Sequence, residues 1–344
     1  MNRACRIARV LSLAMLWLAS NVATQQAAEM QSARVMPMRG SSGSAGPPVL
    51  TAVSLSPDGR MFATGGDDHI VRIWNLEDGA LVRELRGHTD WVRTVAYNPK
   101  GQTIASAGDD HHVLYWDAST GKLRQTLPGP SQVVYCLAFS PDGKLLAAAG
   151  FDNKVRLYDG VAGTPIRELV APCADIRAAA FSADGKSFAA AGRDGRVRIW
   201  DYQTGAVLRD ISAHRQRVHA LGFSPDGAQL ASGGDDRFLR LWNAESGAEL
   251  LSIPSRPGKI HALRYLTPEK LVTGASDNTI RIWDLKSGKE ESRLLGHTGS
   301  VSSLDYRTET GVLISAGFDT SVRLWTPLAT EGKVVEENRN RTTR

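Results

Sequence analysis

From Val49 onward the chain alternates apolar and polar positions in short runs, and each run stops at a cluster of Gly, Pro, Asp, Asn, Ser or Thr. Alternation with period two predicts half-buried β-strands, because successive side chains point to opposite faces of a sheet. Trp91-Val-Arg-Thr-Val-Ala-Tyr97 is one such strand, closed by the turn Asn98-Pro-Lys-Gly101. Thr103-Ile-Ala-Ser106, His112-Val-Leu-Tyr-Trp116 and Leu123-Arg-Gln-Thr-Leu127 follow as three more. The turn recurs as Ser-Pro-Asp-Gly at 56–59, 140–143 and 224–227. There Pro fixes φ early, and Gly accepts the positive φ near the end. No helical spacing is evident, so the pattern predicts all-β architecture.

The four-strand unit repeats seven times. Its third strand ends in an aromatic residue at Trp74, Trp116, Tyr158, Trp200, Trp242, Trp283 and Trp325, with spacings of 42 except for 41 before Trp283. Six residues before each aromatic stands an Asp: Asp68, Asp110, Asp152, Asp194, Asp236, Asp277 and Asp319. Ten before it lies Thr, Ser or Ala. With Gly87-His88, Gly296-His297, Trp116-Asp117, Trp200-Asp201 and Trp283-Asp284, residues 49–326 resemble the WD40 repeat family. The resemblance implies a seven-bladed β-propeller of four-stranded antiparallel blades around a central channel. A length of 344 residues suggests two domains at ~150 each, but a closed ring makes the repeat region one.

The resemblance also implies a hydrogen-bonded structural tetrad of His, Ser, Asp and Trp. It is complete in three copies: His88, Ser106, Asp110, Trp116; His214, Ser232, Asp236, Trp242; and His297, Ser315, Asp319, Trp325. A His–Asp–Ser set suggests a hydrolase triad, yet a triad is one site's geometry and does not recur three times. Copies three and four have Pro130 and Pro172 for His, and Ala148 and Ala190 for Ser. Tyr158 also replaces Trp in copy three. Those blades are expected to be held by apolar contact alone and to be the softest. The seventh copy lacks the Gly that the others carry five residues after the aromatic, so its outer strand must come from elsewhere. Residues 34–39 are the preferred source and Gly332-Lys-Val-Val-Glu336 the alternative; the family closes its ring with N-terminal chain.

Composition adds little to fold and something to location. With 42% hydrophobic and 22% charged residues, 33 Gly and 15 Pro, the chain is neither collagen-like, low-complexity nor multi-span. Arg3, Arg6 and Arg9 precede the apolar run Val10–Ala19, and small residues follow through Ala23, Ala27 and Ala28. That order predicts a secretory signal over 1–23, cleaved after Ala23 or as late as Ala28. The run is about half the ~20 residues that span a bilayer, which favours cleavage over an anchor. The protein is therefore expected to be exported, periplasmic or secreted, with a linker over 24–48 and a tail over 327–344. Gly40-Ser-Ser-Gly-Ser-Ala-Gly46 reads as a spacer in that linker. Removing residues 1–23 leaves 38 basic against 36 acidic residues, so the charge falls from +5 to +2. Only Cys136 and Cys173 then remain, too few for a disulfide framework.

Near-neutral charge disfavours nucleic acid as the main partner, and the chain carries no P-loop, dinucleotide fingerprint, CxxC or HExxH. No cofactor and no catalytic residue is assigned. The resemblance implies a rim supplied by the starts of first strands and by residues flanking the turn Asp. In blades four to six those positions gather Arg177, Arg193, Arg217, Arg237 and Lys259 with His219 and His261. Blades two and three add Trp91, Arg93, Tyr135 and Phe151. Aromatics beside arginines are the residue types of binding hot spots. The expected function is a non-catalytic, monomeric scaffold holding a protein or peptide with an acidic segment. The alternatives are an enzyme-like or ligand-binding propeller and a nucleic-acid module on the basic arc. Asp67, His69, Asp109 and His111 share repeat phases and form a weak candidate for a divalent-metal site.

Overall fold

A computed structural model of the chain describes residues 30–38, 46–128, 131–171 and 173–327. Seven four-stranded sheets account for every strand in it, with no helix among the described residues. Residues Ser32–Trp325 form one compact unit. Blade one consists of Leu50–Leu55, Met61–Gly66, Ile70–Asn75 and Leu81–Arg86 in sheet order, and five blades repeat that up-and-down plan. Each inner strand packs against the next, and the seventh, Val301–Arg307, packs against the first. The molecule is thus a closed seven-bladed propeller.

The turn chemistry does what the sequence dictates. Ser56 Oγ donates to Asp58 Oδ1 at 2.6 Å and accepts from Met61 N at 2.9 Å, while Gly59 takes φ 67°. After the third strand of blades one to six an Asp or Asn caps the next turn, as Asp117 Oδ1 does by accepting from Thr120 N at 2.8 Å. The core lies between neighbouring sheets. Ala63, Val71 and Ile73 of blade one meet Val92, Tyr97, Ile104 and Trp116 of blade two.

Closure of the seventh blade uses Met30–Pro37, which lies beside Ser321–Pro327 at the outer edge of that sheet. This strand begins four residues before the expected 34–39. Met36 and Met38 are buried with Leu50, Trp74, Ile314 and Val322. Polar side chains tie the seventh inner strand to the first. Asp305 Oδ2 accepts from Leu55 N at 2.8 Å, and Ser302 Oγ donates to the Leu50 carbonyl at 2.8 Å. The segments 1–23 and 332–336 lie outside the described residues.

The expectation for blades three and four is corrected. They are not held by apolar contact alone: a buried arginine two residues before the aromatic reaches the turn Asp. Arg156 sits 2.7 Å from Asp152 and 3.3 Å from Glu168. Arg198 sits 2.7 Å from Asp194 and 3.4 Å from Asp210. Blades one and six, which also lack the His, use Arg72 with Asp68 and Arg281 with Asp277. A buried carboxylate without a partner is costly, so each blade supplies its turn Asp with a His, an Arg or both.

Candidate functional site

In the three His-bearing blades the tetrads close as continuous chains. His88 Nδ1 lies 2.7 Å from Asp110 Oδ2, His88 Nε2 lies 2.7 Å from Ser106 Oγ, and Trp116 Nε1 donates to that oxygen at 2.8 Å. His214, Ser232, Asp236 and Trp242 repeat the arrangement, with His–Asp at 2.9 Å and His–Ser at 2.7 Å. His297, Ser315, Asp319 and Trp325 do so at 2.8 Å for both His contacts. The seryl oxygen takes the indole N–H and the imidazole, and it is fully buried, so no substrate reaches it. Burial acts to raise the Asp110 carboxyl, but the His88 bond and two backbone N–H groups outweigh it and hold the group low. Burial lowers His297 despite Asp319. These are supports for the blades, and the arrangement has no geometry for acyl transfer.

The accessible site is the mouth of the channel. Each inner strand carries a β-bulge after its first residue, seen as a register shift between Val92 and Thr94, Val134 and Cys136, Ile176 and Ala178, and at the same place in every other blade. A bulge inserts one unpaired residue and re-aims its side chain. The inserted residues are Thr51, Arg93, Tyr135, Arg177, His219, His261 and Ser302, and all seven line a central cavity of about 450 Å³. The residue before each bulged strand offers its carbonyl to the residue before the turn Asp, as Trp91 O does to Asp109 N at 2.9 Å and Asp175 O to Arg193 N at 3.1 Å. This bond brings the two sequence-predicted rim phases side by side in every blade.

The cations at the mouth are largely paired. Arg93 Nε donates to Asp109 Oδ1 at 2.7 Å and its guanidinium lies 4.6 Å over the Trp91 ring. Arg177 stacks 3.4 Å over Tyr135 and is hydrogen-bonded to Asp175. Arg217 of the next blade reaches the other oxygen of Asp175 at 2.7 Å. Asp235 takes both His219, at 3.2 Å, and Lys259, at 3.1 Å. Burial acts to raise Asp235, and the contacts with His219 and Lys259 outweigh it and hold the carboxyl low. Burial lowers His219, while burial and the neighbouring His219, 5.4 Å away ring to ring, push His261 down to about 4.

Three predicted residues lie outside that paired ring. Phe151, Arg193 and Arg237 stand exposed on the turns of blades three, four and five. Phe318 stands equally exposed at the same phase as Phe151 in blade seven. Asp67, His69, Asp109 and His111 do not come together: Asp109 is committed to Arg93, Asp67 Oδ1 accepts from Val49 N, and no group of three or more metal-ligating side chains occurs among the described residues. Among the described residues neither thiol is ready to react, since burial raises Cys136 to about 12 and Cys173 to about 11.

Sequence reasoning placed Asp175 at the rim phase of the first strands but missed its role, for it is 1% exposed and sits at φ 66°. Its phase carries Val, Trp, Val, Arg, Lys and Ser in the other blades, so the repeat gave no signal for a buried carboxylate there. It also missed Asp-x-x-x-Arg as the substitute for His. That signal was present in all four blades that lack the His, at Asp68, Asp152, Asp194 and Asp277.

A bulged ring at the mouth of a closed seven-bladed ring defines a propeller with a platform face. Seven stretches, 38–75, 79–117, 121–159, 163–201, 205–243, 251–284 and 288–326, match the family described as WD domain, G-beta repeat, and the chain belongs to the WD40 family. A stretch such as 79–117 takes in the outer strand of one blade and ends in the third strand of the next, which is why the last blade borrows its edge from the N-terminal side. One stretch is 38% identical over 48 residues to the general transcriptional corepressor TUP1 of Saccharomyces cerevisiae. It covers 14% of this chain and 7% of that protein, far below two thirds of the relative's length.

Proposed function

We propose that this protein is an exported, non-catalytic, monomeric scaffold that holds a protein partner with an acidic segment on the channel-mouth face. WD40 propellers are typically interaction scaffolds, and the family membership supports that class. The observation that carries the reading to this face is Phe151 and Phe318. Both are about half exposed at a turn phase that is polar or charged in the other five blades. Exposed aromatics on a rigid platform are binding anchors more readily than they are packing elements. Export rests on the N-terminal sequence alone, with periplasm or extracellular space as destination. Among the described residues no helix is long and apolar enough to cross a membrane.

The test is affinity capture from the extracytoplasmic fraction with wild type and with Phe151→Ala/Phe318→Ala, alongside sequencing of the mature N-terminus. The reading expects a partner retained by wild type and lost by the variant at unchanged Tm, on a chain starting at Thr24 or Glu29. Equal capture by both proteins refutes the face, and an intact Met1 refutes cleavage.

A further inference from the structure

The basic arc expected from sequence separates in the structure into an inner set with partners and an outer set without. Arg93, Arg177, Arg217 and Lys259 each hold a carboxylate within the fold. Arg193, Arg215, Arg237 and Arg256 are exposed, and no hydrogen bond or ion pair engages their guanidinium groups among the described residues.

Their loops are joined edge to edge. The turn of blade four meets the loop leading into blade five where Ala213 N and His214 N both donate to the Gly195 carbonyl, at 3.2 and 2.8 Å. That loop meets the turn of blade five through His214 and Asp236 at 2.9 Å. The turn in its place meets the loop leading into blade six, where Ser255 N donates to the Arg237 carbonyl at 2.8 Å. Four arginines therefore follow one another along a continuous row of loops over blades four to six.

Every carboxylate on this row is already committed. Asp194 pairs with Arg198, Asp235 with His219 and Lys259, Asp236 with His214 and Arg240, and Asp277 with Arg281. The row thus presents four free guanidinium forks and no free acid. The opposite side of the face differs, since blade two carries the exposed carboxylate of Asp90 in the corresponding loop.

We propose that the row Arg193, Arg215, Arg237 and Arg256 is the seat of an extended acidic peptide segment of the partner. This deepens the scaffold reading and rests on it. Guanidinium planes suit carboxylates because the fork donates two parallel bonds. An extended chain places successive side chains where a row of loops can meet them, whereas a compact anion would engage one fork. Arg177 and Arg217 are then structural, because a carboxylate from outside would have to displace buried Asp175.

The experiment uses the full chain and a labelled dodecapeptide of alternating Glu and Ser, its Gln counterpart, and a thymidine dodecamer, read by fluorescence anisotropy at low and high salt. The inference expects the Glu peptide to bind at least about tenfold tighter than the Gln peptide, with affinity falling as salt rises. Arg193→Gln/Arg237→Gln weakens it by about tenfold at unchanged Tm, and Arg60→Gln/Lys100→Gln, on the opposite turns, leaves it unchanged. Equal binding of Glu and Gln peptides, or wild-type affinity in the row variant, overturns the inference. Tighter binding of the oligonucleotide overturns it in favour of a nucleic-acid partner. If these fail while the Phe151/Phe318 capture succeeds, the seat is wrong and the scaffold reading stands.

Discussion

Arg198→Leu separates the two accounts of blade four. If apolar contact alone held that blade, an added leucine would be neutral or stabilising. The structure says otherwise. Arg198 is 4% exposed, 2.7 Å from Asp194 and 3.4 Å from Asp210, and its neighbour Ala190 offers Trp200 no oxygen. Leucine is sterically acceptable at this phase, because Leu114 occupies it in blade two, where His88 serves Asp110 instead. Removing one member of a buried pair costs ~3–5 kcal/mol. Asp194 keeps a quarter of its side-chain exposure and an N–H from Arg196 at 3.1 Å, so ~2–3 kcal/mol is the expected loss here. For a domain of this size that is a fall in Tm of about 3–5 °C.

The pH dependence sharpens the test. Burial pushes the Asp194 carboxyl up, and the Arg198 and Arg196 contacts outweigh it to hold the group below its ordinary value. A carboxyl lowered by folding contributes stability that is present above its unfolded pKa of ~3.9 and lost as pH falls through the folded value. In the variant that contribution is gone, and burial now favours the protonated acid. Urea unfolding of both proteins between pH 7 and 4 should show a gap that is full at pH 7 and narrows toward pH 4. A variant within ~0.5 kcal/mol of wild type at pH 7, or a gap that does not change with pH, refutes the reasoning.

Two further outcomes are expected. Blade six alone has Ala275 where six blades have Gly, and Gly258 facing it leaves the room; a Cβ at 258 would stand 2.9 Å from the Ala275 Cβ and 2.6 Å from Asp277 Oδ1, so Gly258→Ala lowers Tm, and an unchanged Tm contradicts the packing. His261, pushed down to about 4 by burial and by His219, stays neutral above pH 5 in an NMR titration; because the unfolded chain takes up that proton first, near pH ~6.5, it subtracts stability as pH falls below that value, and a midpoint near 6.5 in the folded protein contradicts it.

Much of the fold was legible because it is written in local spacing. The aromatic, the Asp six residues before it and the Pro-Gly turns are short-range constraints, and seven repetitions in phase leave little freedom in element order. The candidate face was legible in part. The first-strand phase located Arg93, Tyr135, Arg177, His219 and His261, and the structure gathers them because a bulge re-aims that residue in every blade. What was not legible is which cations are free. Arg177 and Arg193 look alike in a sequence, yet one is stacked on Tyr135 and bonded to Asp175 while the other faces solvent.

The sequence by itself determined the repeat, the strand order within each blade and the number of blades, since each follows from turn residues and apolar period. It also placed the two surface phases. Only the tertiary structure decided the electrostatics of the face. Arg217 finds Asp175 across 42 residues and a blade boundary, at a left-handed backbone position that the repeat does not encode. Ion pairing depends on side-chain reach between neighbouring sheets, and on burial that makes an unpaired charge costly, and neither is a property of spacing along the chain.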